Sequence, residues 1–500
     1  RLAAACLQGE WGVDKILPGC SHNVEPGDCL ADKRATYKLM EYDCEDLNQH
    51  IVFTHKACAC NEKIALAKRH QVDDGSRYTS KICLKKYLRP LIRPSHVATE
   101  EYIISRCSGD KRKLMEIAHA SLEECEVDDK DGRVSMFLKD DKYIANARAL
   151  ADLFDQIVDG KITAPRCIQY RGKRYCLRLA QYLHAIETNT YAYEDKYGTR
   201  VFAKCRNLTQ RGEDLRGKWE SFKRPRALLL DHSKFDAHCS IELLKLEQWF
   251  YLKCRKDKLL AKLLRMQSQC VGRTARGTTY KTKATRMSGD QNTGLGNSII
   301  NYAMLSCFME HFGIVGSVYV DGDDSVIIYE DQGKDYDVRF FEQFGMKTKE
   351  DSTREFEKID FCQTRPVYDG RSWHCVRNPL RLMARTGWTT RADWAGKRDV
   401  YLASIGRCEL ALGMGLPIGQ YLGEKLSKLS DKSMRTQLDY VARREYVRPH
   451  RARVVEPTIE CRLSYEAAWG ISPLEQKFFE SVSIRLPTEE VDGEEFPCRQ

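Results

Sequence analysis

No run of this 500-residue chain is long and apolar enough to cross a bilayer. The most apolar stretch, Ile299–Met309, falls well short of the roughly 20 residues a spanning helix needs and suits a buried core helix. No signal peptide is expected at the opening of the chain, and internal repeats and low-complexity tracts are missing, which sets aside solenoid and fibrous classes. The 21 cysteines are scattered from Cys6 to Cys498 without the spacing of a disulfide framework, so reduced thiols in a cytosolic protein are expected. Only Cys44, His55, Cys58 and Cys60 cluster. They lack the two separated ligand pairs of a structural zinc site and read as ordinary loop thiols. A strong charge of one sign is absent too: 81 Lys and Arg stand against 71 Asp and Glu, a formal net of +10. That excess favours a polyanionic partner only moderately. Acidic residues collect near the end (Glu489, Glu490, Asp492, Glu494, Glu495), leaving the rest more basic than the average. The chain opens on Arg1 rather than Met, so we expect it to be cut from a longer product whose missing part carries any membrane anchor.

What is present suffices for an ordinary core, with 42% hydrophobic and 30% charged residues. The length predicts about three domains or subdomains. Before about Arg93 the sequence shows no strong period. After it, the pattern tightens: Lys111–Glu124 reads as an amphipathic helix behind a Ser108-Gly109 turn. The segment from Gly132 alternates as a strand and ends in Lys139 and Lys142, and Pro165–Leu183 reads as strand, basic turn and helix. "RALLLD" predicts a short apolar strand ending at Asp231, followed by a helix with Leu243, Leu246 and Phe250 at helical spacing. Gly294–Phe312 predicts a second long helix, and "SVYVDGDDSVIIY" predicts a β-hairpin around a Gly and Asp turn. From about Arg377 the pattern is mostly helical, with a basic run through Arg443, Arg444, Arg448, Arg451 and Arg453.

The chemistry concentrates at the hairpin tip, Asp321-Gly322-Asp323-Asp324. A lone Gly-Asp-Asp is weak, since any tight turn prefers those residues. Here apolar strands flank it, and Asp231, with Asp236 behind it, ends another apolar strand. If the two strands pair, Asp231, Asp323 and Asp324 converge at one edge. Converged carboxylates repel one another and take up protons unless a cation intervenes. Magnesium accepts a few carboxylates and keeps positions for phosphate oxygens, and two such ions serve nucleotidyl transfer. Between the strands lies "RMSGDQNTGLGNSIINY", with Thr293 and Asn297 one turn apart on a helix. Alone, it reads as a core helix with Ser288 as N-cap; between two Asp strands it reads as functional. Arg166, Arg171, Lys173, Arg174 and Arg178 are either a solvated face or a wall along a triphosphate path, and their place ahead of the first Asp strand favours the wall. The run Arg443–Arg453 has no such context.

"LLLDHSKFDAHCS", "RMSGDQNTGLGNSIINYAM" and "YVDGDDSVII", in this order, resemble motifs A, B and C of positive-strand RNA virus polymerases, the tombusvirus family and its relatives in the flavivirus-like branch above all. "CSGDKRKLMEIAHASL", "FLKDDKY" and "APRCIQYRGKRYCLRLAQYLHAIE" resemble the fingers motifs, "FEKIDFCQTRPV" motif E, and "IGRCELALGMGLPIGQYL" the thumb. The likeness covers about Arg93 to Leu422. It implies an α+β right-hand polymerase with an antiparallel palm sheet and mainly helical fingers and thumb. The boundaries it implies are 1–92 unmatched, 93–225 fingers, 226–250 and 286–377 palm with a fingers insertion at 251–285, and 378–500 thumb and tail. Asp231 and Asp323 would bind both metal ions with Asp324 assisting, the ions being Mg²⁺ with Mn²⁺ as the alternative. Asp236, Ser288, Thr293 and Asn297 would sense the ribose, Arg166 would hold the triphosphate, and Ile168 would pack near the templating base. Motif A departs from the common pattern at Lys234 and Ala237, and the motif D proton donor is Lys347 or Lys349. Template and product RNA and nucleoside triphosphates would be partners. So would a viral auxiliary replicase protein and host membranes, reached through the missing N-terminal region, at replication sites in the host cytoplasm.

Two other readings compete with this one. A reverse transcriptase carries an aromatic residue where this chain has Gly322 and blocks the 2′-hydroxyl with a ring near the position of Asp236. An Asp there accepts a hydrogen bond from the 2′-hydroxyl instead, which favours RNA synthesis. A catalytically silent RNA-binding scaffold would be expected to lose a carboxylate or the Ser-Gly turn, and this chain keeps all of them.

Overall fold

The computed structural model describes residues 15–16, 36–48, 50–70, 75–146, 164–445, 447–487 and 491–492. Of the terminal acidic cluster, Glu489, Glu490, Glu494 and Glu495 lie outside the described residues, as do Cys6 and Cys498. The fold is mixed α and β with several sheets, two of which frame the site. In the first, Thr279–Lys283, Gln269–Thr274, Val134–Leu138 and Cys167–Arg171 follow one another. All of these pair antiparallel except Val134–Met136, which runs parallel to Gly272–Thr274. Strict alternation decides which face is covered. Val134, Met136 and Leu138 point inward while Ser135 and Phe137 are exposed, as a period of two requires.

The second sheet is wholly antiparallel, in the order Gly316–Asp321, Asp324–Glu330, Pro225–His232, Thr348–Thr353. The hairpin anticipated in the sequence is present, and its second strand pairs with the Asp231 strand. Gly322, at φ +72°, opens the two-residue turn, a conformation that a side chain resists. Val318, Val320, Val326, Ile327 and Ile328 are buried, so both hairpin strands lie inside the protein. The long helix Thr293–Phe312 packs on the sheet beside Gly316–Asp321 and is buried on most sides. It ends at Gly313 in the left-handed region, a common helix stop. Leu243, Leu246 and Phe250 on Ile241–Cys254 are buried against the same core.

The C-terminal part is helical, with Arg398–Leu412 packed closely on Gly419–Ser427. Its core takes in Leu39, Met40 and Tyr42 from near the start of the chain. Tyr37–Lys38 pairs with Trp388–Thr389, and Glu41–Tyr42 with Ile484–Arg485. A few residues on, His50–Phe53 pairs with Tyr143–Asn146 beyond the first sheet. Within the segment before Arg93, which carries no strong periodic signal, the short strands between Tyr37 and Phe53 are thus a strap joining the C-terminal helices to the region of the first sheet. No helix among the described residues is long and apolar enough to cross a membrane.

Candidate active site

The carboxylates form a row across the open end of the second sheet. Asp321 stands opposite Asp324 in the hairpin. One step beyond the pair Ser325 and Leu230, Asp324 comes level with Asp231. On its other side Asp231 faces Lys349. Directly opposed residues in antiparallel strands share a face, so Asp321, Asp324, Asp231 and Lys349 lie side by side, with Asp323 in the turn above. Lys347 and Lys349 are both exposed, but the register puts Lys349 in the row.

Asp231, Asp323 and Asp324 keep solvent access, yet the protein around Asp323 and Asp324 and their neighbours alter the acidity of those two. Burial of its inner side, then Asp231 and Asp321, pushes Asp323 up. Burial followed by Asp323 and Asp321 pushes Asp324 up to about 6. Asp321 behaves differently: burial works to raise it, but Lys204 and Arg211 bring the carboxyl below its ordinary value. Arg211 donates to Asp321 Oδ2 at 2.6 Å and Lys204 pairs with Oδ1. The inner Asp is therefore neutralised by the protein itself, while the outer three are left repelling one another. Among the described residues no three His, Cys, Asp or Glu side chains are gathered as a finished ligand set. The donor chemistry nonetheless fits a hard divalent cation: oxygen ligands, uncompensated charge, and exposed side chains able to turn toward a common ion.

The same Lys204 faces Glu187, whose carboxyl burial pushes up to about 7 against the pull of that lysine. An acid with a raised folded pKa favours folding at low pH and loses that contribution as pH rises. For Glu187 the loss begins near the ordinary 4.5 and is complete above about 7. Glu187→Gln is expected to melt like wild type near pH 4.5 and above wild type at pH 8, read from thermal melts across that range. Equal melting temperatures at pH 8 would refute the shift.

The long helix latches the Asp-bearing turn. Ser298 Oγ accepts from Gly322 N at 2.9 Å, and Asn301 Nδ2 donates to the carbonyls of Gly322 and Asp323, each at 3.1 Å. Asn301 Oδ1 in turn lies 3.2 Å from His232 Nε2, and His232 Nδ1 lies 2.8 Å from Thr348 Oγ1. Burial drives the His232 imidazole down to about 4. It is therefore neutral, donating from Nε2 and accepting at Nδ1. One helix face thus fixes three of the four strands. The sequence reading missed Ser298, Asn301 and His232; the signal was the Ser and Asn at helical spacing within "GNSIIN".

Asp236 sits on the single turn Phe235–His238, which begins after Lys234 in the left-handed region and is anchored by buried Phe235 and Ala237. Asn297 Nδ2 donates to Asp236 Oδ1 at 2.8 Å, so these two sequence candidates meet as expected. Burial pushes Asp236 up to about 6, against the stabilising bond from Asn297. Ser288 goes elsewhere. The helix starts at Thr293 with Asn292 at the N-cap position, so Ser288 is no cap. Its hydroxyl accepts from Gln169 N and donates to Cys167 O, both at 3.2 Å. Those bonds clip the loop to the strand that carries Ile168. Gly289 is needed there, since a Cβ would fall 2.6 Å from Gln169 O and 3.0 Å from Ile168 Cγ2. Thr293 Oγ1 donates to Met287 O at 2.7 Å and steadies the same loop.

The basic wall anticipated from the sequence largely dissolves. Arg171 is fully buried, paired with Asp290 and bonded to Gly132 O at 3.1 Å. Arg174 is held by Asp131 and Ser121, and Arg178 by Glu100 and Glu126. Arg171 closes the strand Cys167–Arg171 and Arg174 and Arg178 lie in the first turns of the helix Lys173–Tyr191, and local carboxylates claim all three. Arg166 is different: it is exposed, 3.7 Å from Asp141 at the start of the strand. Arg448, Arg451 and Arg453 are exposed, while the side chains of Arg443 and Arg444 lie outside the described residues. Of the clustered thiols, Cys58 caps the helix Ala59–Arg69 by accepting from Asn61 N, and His55 packs edge-on against Tyr143.

Beside the Asp-bearing turn opens a 540 Å³ cavity between the C-terminal helices and the hairpin Thr364–Tyr368 with Trp373–Arg377. Cys362, 3.7 Å from Asp321 Oδ2, forms its edge. Arg381 and Arg385, one turn apart on Pro379–Thr386, line it together with Lys142 and Trp394. Asp140, Asp141, Asp360 and Glu409 line it as well, and Lys142 is held by the carbonyls of Arg385 and Trp388 at 3.0 and 2.8 Å, so the wall carries both signs of charge.

A family model described as viral RNA dependent RNA polymerase matches residues 67–489, which extends the likeness at both ends. The RNA-directed RNA polymerase of Tobacco necrosis virus (strain A) is 33% identical over 416 residues, 77% of this chain and 54% of that protein. That of Red clover necrotic mosaic virus is 30% identical over 397 residues, 76% and 50% of the two chains. That of Carnation mottle virus is 32% identical over 387 residues, 74% and 48%. The chain spans about half the length of the curated relatives it matches.

Proposed function

Because the chain belongs to the family of viral RNA-dependent RNA polymerases, we propose that it copies an RNA template by adding ribonucleotides to the 3′ end of a growing strand. The observation that carries this reading is the row of Asp324, Asp231 and Lys349 beneath Asp323, latched from below by one buried helix. Asp231 and Asp323 would hold two divalent ions, with Asp324 beside them; Mg²⁺ is our assignment, with Mn²⁺ as the alternative. Bound there, such ions lower the pKa of the attacking 3′-hydroxyl and neutralise the leaving pyrophosphate. Lys349, in line with Asp231, supplies a proton to that leaving group. Arg166 meets the triphosphate, and Ile168, on the strand clipped by Ser288, backs the templating base. Asp236, oriented by Asn297, accepts a hydrogen bond from the ribose 2′-hydroxyl.

Around this centre the layout is a right hand, with the second sheet as palm, the first sheet and its helices as fingers, and the C-terminal helices as thumb. The cavity lined by Arg381 and Arg385 carries product RNA away. An auxiliary viral protein, and host cytoplasmic membranes as the place of work, are further partners of this reading. Asp236 and the Gly-Asp-Asp turn favour RNA over DNA synthesis.

The test is single-nucleotide incorporation on an RNA template with matched ribo and deoxy substrates, with Mg²⁺, with Mn²⁺ and with chelator. Wild type should incorporate only with metal and prefer the ribonucleotide. Losing the 2′-hydroxyl contact costs on the order of 1–3 kcal/mol, roughly tenfold to a hundredfold in selectivity. Asp236→Ala and Asn297→Ala should erase most of that preference, the loss falling mainly on the ribonucleotide. Incorporation that persists in chelator, or a preference untouched in both variants, would defeat the corresponding part of the reading.

A further inference from the structure

Behind Asp236 runs a chain of buried polar groups that the roles above leave unused. Arg286 and Glu247, 2% and 1% exposed, form an ion pair, with Arg286 NH1 3.2 Å from Glu247 Oε1. Arg286 Nε donates to Asn297 Oδ1 at 3.0 Å, and its main-chain N donates to Asp236 O at 2.9 Å. Glu247 also accepts from Asn292 Nδ2 at 2.6 Å and from Tyr251 OH at 2.7 Å. Asn292 passes the chain to Gln267, which reaches Asp290, the partner of Arg171 on the Ile168 strand. Gly296 leaves room for the pair: a Cβ there would fall 2.3 Å from Glu247 Oε1 and 2.5 Å from Arg286 NH2.

A buried ion pair is weak evidence for stability, because desolvating two charges offsets most of their attraction. Its geometry here serves orientation. An asparagine amide can sit either way round, with oxygen and nitrogen exchanged. Arginine only donates, so a guanidinium on one side of Asn297 forces the oxygen toward itself and the NH₂ toward Asp236. The reversed amide would set donor against donor at Arg286 and oxygen against carboxylate at Asp236. We propose that Arg286, held by Glu247, is the positioning residue for sugar selection: it fixes the Asn297 amide and the Asp236 main chain, so that one Asp236 oxygen is occupied by Asn297 and the other is presented to the ribose 2′-hydroxyl. This inference rests on the polymerase reading and on the role of Asp236 within it.

The test uses the ribo-to-deoxy incorporation ratio in three variants. Glu247→Gln with Arg286→Gln keeps the interior neutral but removes the obligate donor, and the ratio should fall about tenfold. Arg286→Lys keeps the charge opposite Glu247, and so the fold, but lacks the planar fork that reaches Glu247 and Asn297 together. It should lower the ratio by a smaller factor. Asp236→Ala supplies the control: in that background neither substitution should move the ratio further, since both act through Asp236. A folded Arg286→Lys protein with the wild-type ratio overturns the inference, as does an added fall in the Asp236→Ala background. A wild-type protein that incorporates nothing defeats the polymerase reading instead, so the two failures are told apart.

Discussion

Asp231→Ala and Asp323→Ala are each expected to abolish nucleotide addition, by on the order of a thousandfold or more, while the protein stays folded and still binds RNA. Removing one preorganised electrostatic group from a reacting centre typically costs about a hundredfold to a thousandfold, and losing an ion ligand costs at least that. The fold has no need of these carboxylates. Both are exposed at the open end of the sheet. Burial with Asp231 and Asp321 pushes Asp323 toward protonation, and burial with Asp323 and Asp321 pushes Asp324. Taking one charge out relieves repulsion, so the melting temperature of either variant should stay level or rise. Asp321→Asn is the contrasting case, because Asp321 answers Lys204 and Arg211. It should lower the melting temperature. Template-dependent incorporation, thermal melts and RNA binding on the three variants check this. Near-normal incorporation by Asp231→Ala or Asp323→Ala would sink the assignment of the site.

What could be read in the sequence were features whose physics is local. The hairpin is legible because a Gly opens its two-residue turn between strands with continuous apolar runs, and the long helix because apolar residues fill it. The meeting of Asp236 with Asn297 was implied by the likeness to motifs A and B, and helical spacing alone did not give it. Features that depend on a partner distant in sequence were not legible. Ser288 looked like a helix cap, but its hydroxyl serves the strand at Cys167 and Gln169, far earlier in the chain. The latch of Asn301 onto Gly322, Asp323 and His232 needs the folded sheet to exist before its purpose shows. The strap at Tyr37–Phe53 carries no period because its short strands borrow their pairing from segments far off in the chain. Lys347 and Lys349 are equivalent in sequence, and only register separates them.

The arginines show how far a charge run can mislead, and they set the last expected result. Arg166 and Arg171 are five residues apart at the two ends of one strand's reach, and as members of a charge run they look alike, though the family likeness gives the triphosphate to Arg166 alone. Arg171 is sealed among Asp290, Gly132, Met266 and Cys270. Its partner Asp290 is buried as well, and burial raises that carboxyl against the pull of Arg171. Arg171→Met would leave Asp290 without a counter-charge in the interior. Breaking a buried pair from one side costs about 3–5 kcal/mol, a large part of the roughly 5–15 kcal/mol that holds a typical domain together. The variant should melt many degrees lower or fail to accumulate. Arg171→Met with Asp290→Leu should recover much of the loss, because no lone charge remains. Arg166→Met should leave the melting temperature unchanged, since the side chain is exposed and only loosely placed by Asp141. Its effect should appear as a raised KM for nucleotide. If Arg166 also meets the RNA backbone, the slope of log affinity against log salt should fall by about one contact. Melting curves, salt titrations of RNA binding and nucleotide KM on the single and double variants separate the two arginines. An Arg171→Met protein that folds normally and binds RNA with a flatter salt slope would put the residue back in the channel wall, against the burial described here.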